Sequence, residues 1–191
     1  EIEMKKLGKY SFGTGDRFSH QGEAQLAALL KAQRELGVTI TPVWNKSNRE
    51  HNFIHSEPTD TRREADAAVK ALNYAGPYFV DADHINLNTV DRYIKPCDFF
   101  TLDVADYIGK PATPAEIEAF VVRQQRFVAP LKIPGIDEPF EVTSAWLARF
   151  AEKFLFAVSE AEKIYRHIAS QKGAGNFITE VSMDEVDEPQ K

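Results

Sequence analysis

Residues 77–109, PYFVDADHINLNTVDRYIKPCDFFTLDVADYIG, decide the fold that this sequence predicts. A short apolar run, Tyr-Phe-Val, stops at three polar residues, and a second run, Phe-Phe-Thr-Leu, leads to further carboxylates. The polar residues after the first run are Asp81, Asp83 and His84. Short runs rich in aromatic and β-branched residues predict buried strands of a parallel sheet. Because catalytic groups in βα-barrels stand where strands end, these residues predict a functional edge.

Strand and helix patterns alternate along the rest of the chain. Strands are predicted at 9–13, 38–44, 78–80, 99–104 and 176–181, and helices lie between them. One helix is capped by Thr59 or Asp60, a later one has Thr113 as its N-cap, and the longest runs from Thr143 or Ser144 to about Lys172. Residues 45–56 are predicted to form a polar loop, and residues 131–142 an inserted loop or hairpin. This order of strands and helices favours a parallel sheet with right-handed crossovers. Five strands suit either a small doubly wound sheet or the first half of a TIM-type βα-barrel, and the end of the pattern after strand five favours the barrel. We therefore predict one α/β domain over residues 1–191, the N-terminal part of a larger barrel enzyme.

Composition narrows the class of protein. The 191 residues are 43% hydrophobic, which is enough for a sizeable core, and the net charge of −6 argues against a nucleic-acid partner. The one cysteine, Cys97, suits a reducing compartment and excludes an internal disulfide. With no signal peptide and no apolar run of membrane-spanning length, we expect a cytoplasmic protein without a membrane partner.

Two polar segments after the first two strands supply candidate substrate-binding residues. GTGDRF lacks the third glycine of a dinucleotide fingerprint and the Walker pattern, but Asp16 and Arg17 suit a substrate's hydroxyl and carboxylate. The alternative is a local ion pair that holds the loop. NKSNREH supplies Lys46 and Arg49, which suit a polyhydroxylated anion, and its alternative is a solvated surface loop.

The carboxylates of the third and fifth strands are candidates for acid–base chemistry, except Asp81, which is a candidate for substrate binding. Asp81 and Asp83 share one strand face by alternation, and two buried carboxylates are costly unless they meet a cation, a histidine or a substrate hydroxyl. His84, next to Asp83, can bind a metal through a ring nitrogen. Glu180 ends strand five and Glu185 follows it, so either is a candidate partner acid. The alternative to a partner acid is that Glu180 and Glu185 belong to an acidic segment exposed to solvent.

Four stretches together resemble the tagaturonate (tagaturonate/fructuronate) epimerase family of hexuronate catabolism. They are SFGTGDRF, HSEPTDTRREADAAV, YFVDADHI with TVDRYIKPCDFFTLDVAD, and FITEVSMDE, and they extend over nearly the whole chain. Proteins of this family are more than twice as long, so the resemblance implies the N-terminal portion. The family is in turn distantly similar to class II metal-dependent aldolases.

The resemblance implies a reaction and roles for the candidate residues. The expected activity interconverts D-tagaturonate and D-fructuronate by metal-assisted retro-aldol and aldol steps. Asp83 would accept the proton, His84 would bind a divalent metal of unknown identity, and Glu180 or Glu185 would be the partner acid. The family's remaining histidine ligands lie in segments absent from this chain.

Two alternatives to the epimerase stay open. The chain is then part of a metal-dependent aldolase or isomerase that acts on another sugar acid, or it is an inactive sugar-acid-binding fragment. A half-barrel would also expose sheet edges, so self-association into a homo-oligomer is expected.

Overall fold

The computed structural model of the protein describes residues 5–184. It contains seven strands, which are β1 Tyr10–Gly15, β2 Ile40–Ser47, β3 Phe79–Ile85, β4 Phe99–Asp103, β5 Pro130–Leu131, β6 Phe140–Glu141 and β7 Ile178–Ser182. The α-helices are α1 Gly22–Leu36, α2 Asn48–Ile54, α3 Pro58–Ala71, α4 Asp91–Ile94, α5 Pro114–Gln124 and α6 Ser144–Lys172. Among these residues, no helix is both long and apolar enough to cross a membrane. The chain divides into two compact units.

The first unit contains the parallel sheet and comprises, of the described residues, 5–103 and 163–182. Its five strands follow the order β1-β2-β3-β4-β7, and every neighbouring pair is parallel. Each connection includes at least one helix, as parallel pairing requires. The predicted alternation of strands and helices is therefore confirmed, and the α/β fold is consistent with half of a TIM-type barrel.

The sheet has two faces with different side chains, because successive residues of a strand point to opposite sides. One face, which we call the carboxylate face, begins with a small apolar cluster of Val43, Phe79 and Phe99, extended by Leu7 and Ile178. Towards the carboxyl ends of the strands, the same face becomes polar. The residues at these later positions are Asn45, Ser47, Asp81, Asp83, Thr101, Asp103 and Glu180.

The opposite face, which we call the helix face, carries the larger apolar side chains. Trp44, Val80 and Phe100 are nearly inaccessible to solvent there. The amino group of Lys172, near the end of α6, lies 5.9 Å from the ring centroid of Phe100. Burial of these side chains under helices provides most of the apolar contact that holds the sheet.

The second unit contains, of the described residues, 104–162 and 183–184. Here β5 and β6 pair as a short antiparallel hairpin, so of the loop or hairpin expected at residues 131–142 the structure shows the hairpin. The hairpin and the first part of α6 share a row of aromatic contacts, including Phe140 with Trp146 at 5.2 Å and Trp146 with Phe150 at 5.3 Å between ring centroids. Helix α5 begins as predicted, with Thr113 as N-cap and Glu116 completing a capping box.

The structure differs from the sequence prediction around the second strand. The segment read as a polar loop, residues 45–56, continues β2 to Ser47 and then forms α2. Ser47 and Glu50 form a capping box, in which each side chain accepts a hydrogen bond from the other residue's backbone N–H. Helix α3 also begins earlier than predicted: Glu57 is its N-cap in place of Thr59 or Asp60, because Pro58 fits the first helical position.

Candidate active site

The candidate site is built around a bulge in β3. The strand was predicted to stop at its polar residues, but it continues to Ile85. Ala82 pairs with Phe100 and Ile85 pairs with Leu102, so two residues of β3, Asp83 and His84, stand opposite one residue of β4. An extra residue of this kind bends a strand and redirects side chains. The bulge returns Ile85 to the helix face, where it is fully buried.

Asp83 and His84 are held together at this bulge. His84 has a φ of 52°, in the left-handed region that a residue with a side chain seldom occupies. This backbone conformation lets its ring turn back towards Asp83, and Nδ1 of His84 lies 2.7 Å from Oδ1 of Asp83. The Asp83 side chain is 20% exposed and that of His84 is 33% exposed, so solvent reaches both. Strained backbone at a polar, accessible position is typical of functional sites.

Asp81 lies deeper on the same face and contacts the strand opposite the bulge. Its Oδ1 accepts the backbone N–H of Thr101 at 3.1 Å, and its Oδ2 accepts the Thr101 hydroxyl at 2.8 Å. Burial raises the pKa of Asp81 to about 7, the hydrogen bonds from Thr101 oppose this rise, and the charges of Asp83 and Glu180 add to it. The charges of Asp83 and Glu180 therefore reach the buried Asp81.

The fifth strand of the sheet brings Glu180 to the carboxylate face. Glu180 pairs in register with Thr101, and its side chain is exposed. Asp103 ends β4 on this face, in register with Ser182. Glu185, the other candidate acid, lies outside the described residues. Asp81, Asp83 and Glu180 thus lie on one face of the sheet near the carboxyl ends of its strands, with His84 beside Asp83.

Lys46 and Asp16 organise the loop after β1. Lys46 is paired with Ala82 on the helix face, where it is 2% exposed, and its ammonium group donates to the carbonyl of Arg17 and the hydroxyl of Ser19. Asp16 accepts backbone N–H groups of Phe18, His20 and Gln21. Burial works to raise the pKa of Asp16, but these hydrogen bonds outweigh it and the pKa is lowered. The loop is thus held by Asp16 and Lys46, and not by the Asp16–Arg17 ion pair considered above.

The two arginine candidates lie at the surface. Nε of Arg17 is 3.9 Å from Oε1 of Glu50, and its guanidinium lies 5.5 Å from the ring centroid of Phe53. Arg49 is exposed on α2. Neither arginine belongs to the group formed by the carboxylates and His84.

Sequence reasoning missed two buried polar residues near these elements. Thr101, the partner of Asp81, stands out in the sequence only as a polar residue between apolar neighbours on β4. His51 belongs to the NKSNREH segment that the sequence matched to a polyhydroxylated anion, but it is 1% exposed on α2, and its Nδ1 lies 2.8 Å from the Ser56 hydroxyl. Burial, aided by the charges of Lys46 and Arg92, lowers the pKa of His51 to about 4.

Cys97 is a buried free thiol whose pKa burial raises, as expected of a structural cysteine.

The donor set fits part of a metal site. A carboxylate on one nitrogen of a histidine ring is the usual outer support of a metal-binding imidazole, and Asp83 holds His84 in this way. Within residues 5–184, however, no three His, Cys, Asp or Glu side chains are grouped so that they could hold an ion. The described residues alone therefore do not make a complete metal site.

Comparisons with known proteins agree on one family. The sequence profile of UxaE, tagaturonate epimerase, matches residues 2–191. Among solved structures, the one-glycerol complex of fructuronate-tagaturonate epimerase UxaE from Cohnella laeviribosi matches with a TM-score of 0.72 at 20% identity, covering 98% of this chain. The two-glycerol complex gives a TM-score of 0.71 at 21% identity over 97% of this chain, and the native structure gives 0.66 at 20% over 97%.

These structural likenesses establish a shared fold, and they also show a difference in length. The chain spans 40% of the length of either glycerol complex and 39% of the native structure. No curated protein matches the sequence.

Proposed function

The chain belongs to the tagaturonate epimerase family, and from this premise we propose that its polypeptide interconverts D-tagaturonate and D-fructuronate. The match over residues 2–191 is the observation that carries the proposal. Because the chain spans 40% of the solved UxaE structure, the activity is proposed for a polypeptide of that full length. This chain supplies the proton-transfer residues of the carboxylate face.

Retro-aldol chemistry explains why a base at the bulge is useful. The two keto acids differ at a carbinol carbon β to the ketone, where enolisation alone cannot invert the configuration. Removing the proton from that hydroxyl lets its oxygen form an aldehyde while the adjacent C–C bond breaks, and the bond's electron pair forms an enediolate with the ketone. Rotation of the aldehyde, formation of a new C–C bond and return of the proton give the epimer.

Asp83 is the base in this proposal. It stands at the carboxyl end of β3, is partly accessible, and has His84 fixed beside it at 2.7 Å. The aspartate takes the hydroxyl proton during bond cleavage and returns it after the new bond has formed. No net proton, electron or atom is gained or lost over the cycle.

Glu180 is the partner acid in this proposal. It lies on the same sheet face as Asp83, and its charge influences the buried Asp81 between β2 and β4. A carboxylic acid there can donate to the oxygen that becomes negative as the enediolate forms. Glu185 stays the alternative donor.

The metal dependence is also part of the proposal. His84 would be one ligand of a divalent cation, and the remaining ligands would come from outside residues 5–184. A bound divalent cation supplies Lewis-acid stabilisation of negative charge on oxygen.

The substrate carboxylate is assigned to Arg17 or Arg49, the exposed cations at the ends of β1 and β2, while Asp16 and Lys46 shape the loop that carries Arg17. A cytoplasmic location suits the free thiol of Cys97.

The test replaces Asp83 by Asn in the full-length polypeptide. The carboxamide keeps the shape but cannot take the proton, so interconversion should fall by two or more orders of magnitude while metal content is retained. Glu35→Gln, which neutralises an exposed acid near the end of α1, is the control and should leave turnover unchanged. Turnover retained in Asp83→Asn would refute the base role.

Release of cleavage products by the unmodified enzyme would favour an aldolase, and sugar-acid binding without turnover would favour a binding module.

A further inference from the structure

We propose that Asp81 and Thr101 form a cross-strand clamp that holds the β3 bulge and thereby orients Asp83 and His84. Both are positioning residues, which act through their neighbours and not on the substrate. The inference rests on the proposed function, because it concerns the pair to which proton transfer is assigned.

The clamp lies where the bulge interrupts the pairing of β3 with β4. A bulge interrupts the ladder of backbone hydrogen bonds between two strands. Thr101 is the one residue of β4 that stands opposite Asp83 and His84. Its backbone N–H is taken up by the Asp81 side chain at 3.1 Å. The carboxylate thus joins β3 to β4 at the point where the ladder is disturbed.

Both side-chain oxygens of Asp81 accept hydrogen bonds from β4. Oδ1 receives the Thr101 N–H and Oδ2 receives the Thr101 hydroxyl, so one residue of β4 occupies both oxygens. Asp81 is only 5% exposed and Thr101 only 4%. A substrate-binding role for Asp81, as the sequence suggested, would require contact with a ligand at a position that is nearly closed to solvent. The contacts instead favour a fixed hydrogen-bonded pair, which satisfies an otherwise costly buried carboxylate.

The clamp keeps Asp83 and His84 oriented towards each other. Asp83 is two residues beyond Asp81 on the same strand face, and His84 has a left-handed backbone that depends on the extra residue. Without the clamp, β3 can relax towards regular pairing, which would rotate Asp83 and His84 away from each other. Misplacement of a reacting group by about 1 Å can lower a rate on the order of a hundredfold.

The test uses three variants and one control in the full-length enzyme. Thr101→Val removes the hydroxyl with little change in volume, Thr101→Ser retains it, and Asp81→Asn replaces one acceptor by a donor. Thr179→Val makes the same change on β7, on the helix face, and is the matched control. Thr101→Val and Asp81→Asn should lower kcat at least tenfold with KM within about twofold, whereas Thr101→Ser and Thr179→Val should stay near the parent.

A double variant separates positioning from a direct role. In the Asp83→Asn background, Thr101→Val should have no further effect on the residual kcat, because the clamp acts through Asp83. A further loss of equal size in that background, or a rise in KM without loss of kcat, would overturn the proposal. If Thr101→Val fails to fold, Asp81→Asn and Thr101→Ser carry the same test.

A spectroscopic readout makes failure of the clamp distinguishable from failure of the proposed function. In ¹⁵N-histidine-labelled protein, the ring nitrogens of His84 report which one carries the proton and what it contacts, whether or not the protein is active. These resonances, assigned by their loss in His84→Gly, should shift in Thr101→Val and return in Thr101→Ser. If the unmodified enzyme does not interconvert the two keto acids, the proposed function fails while this readout still tests the clamp. Unchanged His84 resonances in Thr101→Val would overturn the clamp.

Discussion

The left-handed backbone of His84 is the residue-scale feature on which the site depends. The left-handed backbone conformation costs a residue with a Cβ roughly 1 kcal/mol of stability, whereas glycine adopts it without this cost. Most strand positions show the opposite preference, because glycine is less stable than alanine there by roughly 0.5–1 kcal/mol. The rank order of two substitutions at position 84 therefore reports the backbone conformation directly.

We expect His84→Gly to be more stable than His84→Ala by about 1 kcal/mol, from the relief of strain at a φ of 52°. Urea unfolding followed by circular dichroism would measure the difference. Ala82→Gly, two residues earlier on β3, is the control and should lower stability, as glycine does in a regular strand. A His84→Ala variant more stable than His84→Gly would contradict a left-handed backbone at this residue.

His51 provides a pH prediction. Its folded-state pKa of about 4 lies below the ordinary value of 6.5, so between these values the unfolded chain binds a proton that the folded chain does not. Stability is therefore full above pH 6.5 and falls as the pH drops towards 4, by as much as roughly 3 kcal/mol for this residue. The gap in unfolding free energy between the parent and His51→Gln should shrink across this range. A gap that stays constant from pH 7.5 to 4.5 would contradict the assignment.

At the scale of elements, α2 connects the end of β2 to α3 and depends on its cap. The helix has seven residues and includes buried His51, and its first turn is closed by the reciprocal hydrogen bonds of Ser47 and Glu50. Ser47→Ala should cost about 1 kcal/mol and speed amide hydrogen exchange in α2, while Ser47→Thr, which keeps an acceptor, should cost less. Equal exchange in all three proteins would show that tertiary packing, not the cap, holds the helix.

The elements also show what the sequence can and cannot predict. The parallel strands, the long helix α6 and the cap at Thr113 follow from apolar periodicity and local capping signals, and the structure confirms them. Helix α2 was missed because the polar composition of residues 45–56 outweighed its Ser-x-x-Glu signal. The bulge was missed because alternation continues through Asp83; only the return of an apolar residue at Ile85, one position out of phase, indicates it.

At the scale of the molecule, the carboxylate face combines residues from strands that are far apart in sequence. Asp81 and Thr101 are 20 residues apart, and Glu180 comes from a strand after both. Local patterns predicted that strand ends would meet, and this is confirmed for β3, β4 and β7. The Asp81–Thr101 contact could not be predicted, because it depends on a register shift between two strands.

The two outer strands of the sheet lead to a prediction about association. In the part of the chain that the structure describes, β1 pairs only with β2, and β7 pairs only with β4. Tyr10 and Phe12 of β1 are 47% and 58% exposed, and unpaired apolar edges favour pairing with another chain. We expect the 191-residue chain to self-associate with increasing concentration in sedimentation velocity, and Phe12→Lys to weaken this. A clean monomer throughout the concentration range would refute it.

Metal content and epimerisation, measured together, test the roles of Asp83 and His84. Both are determined on this chain and on a polypeptide extended to the length of the solved UxaE structures. We expect the extended polypeptide to bind a divalent ion, to interconvert D-tagaturonate and D-fructuronate, and to lose both properties when His84 is replaced by Ala. An extended polypeptide that binds no metal and leaves both keto acids unchanged would contradict the roles of Asp83 and His84.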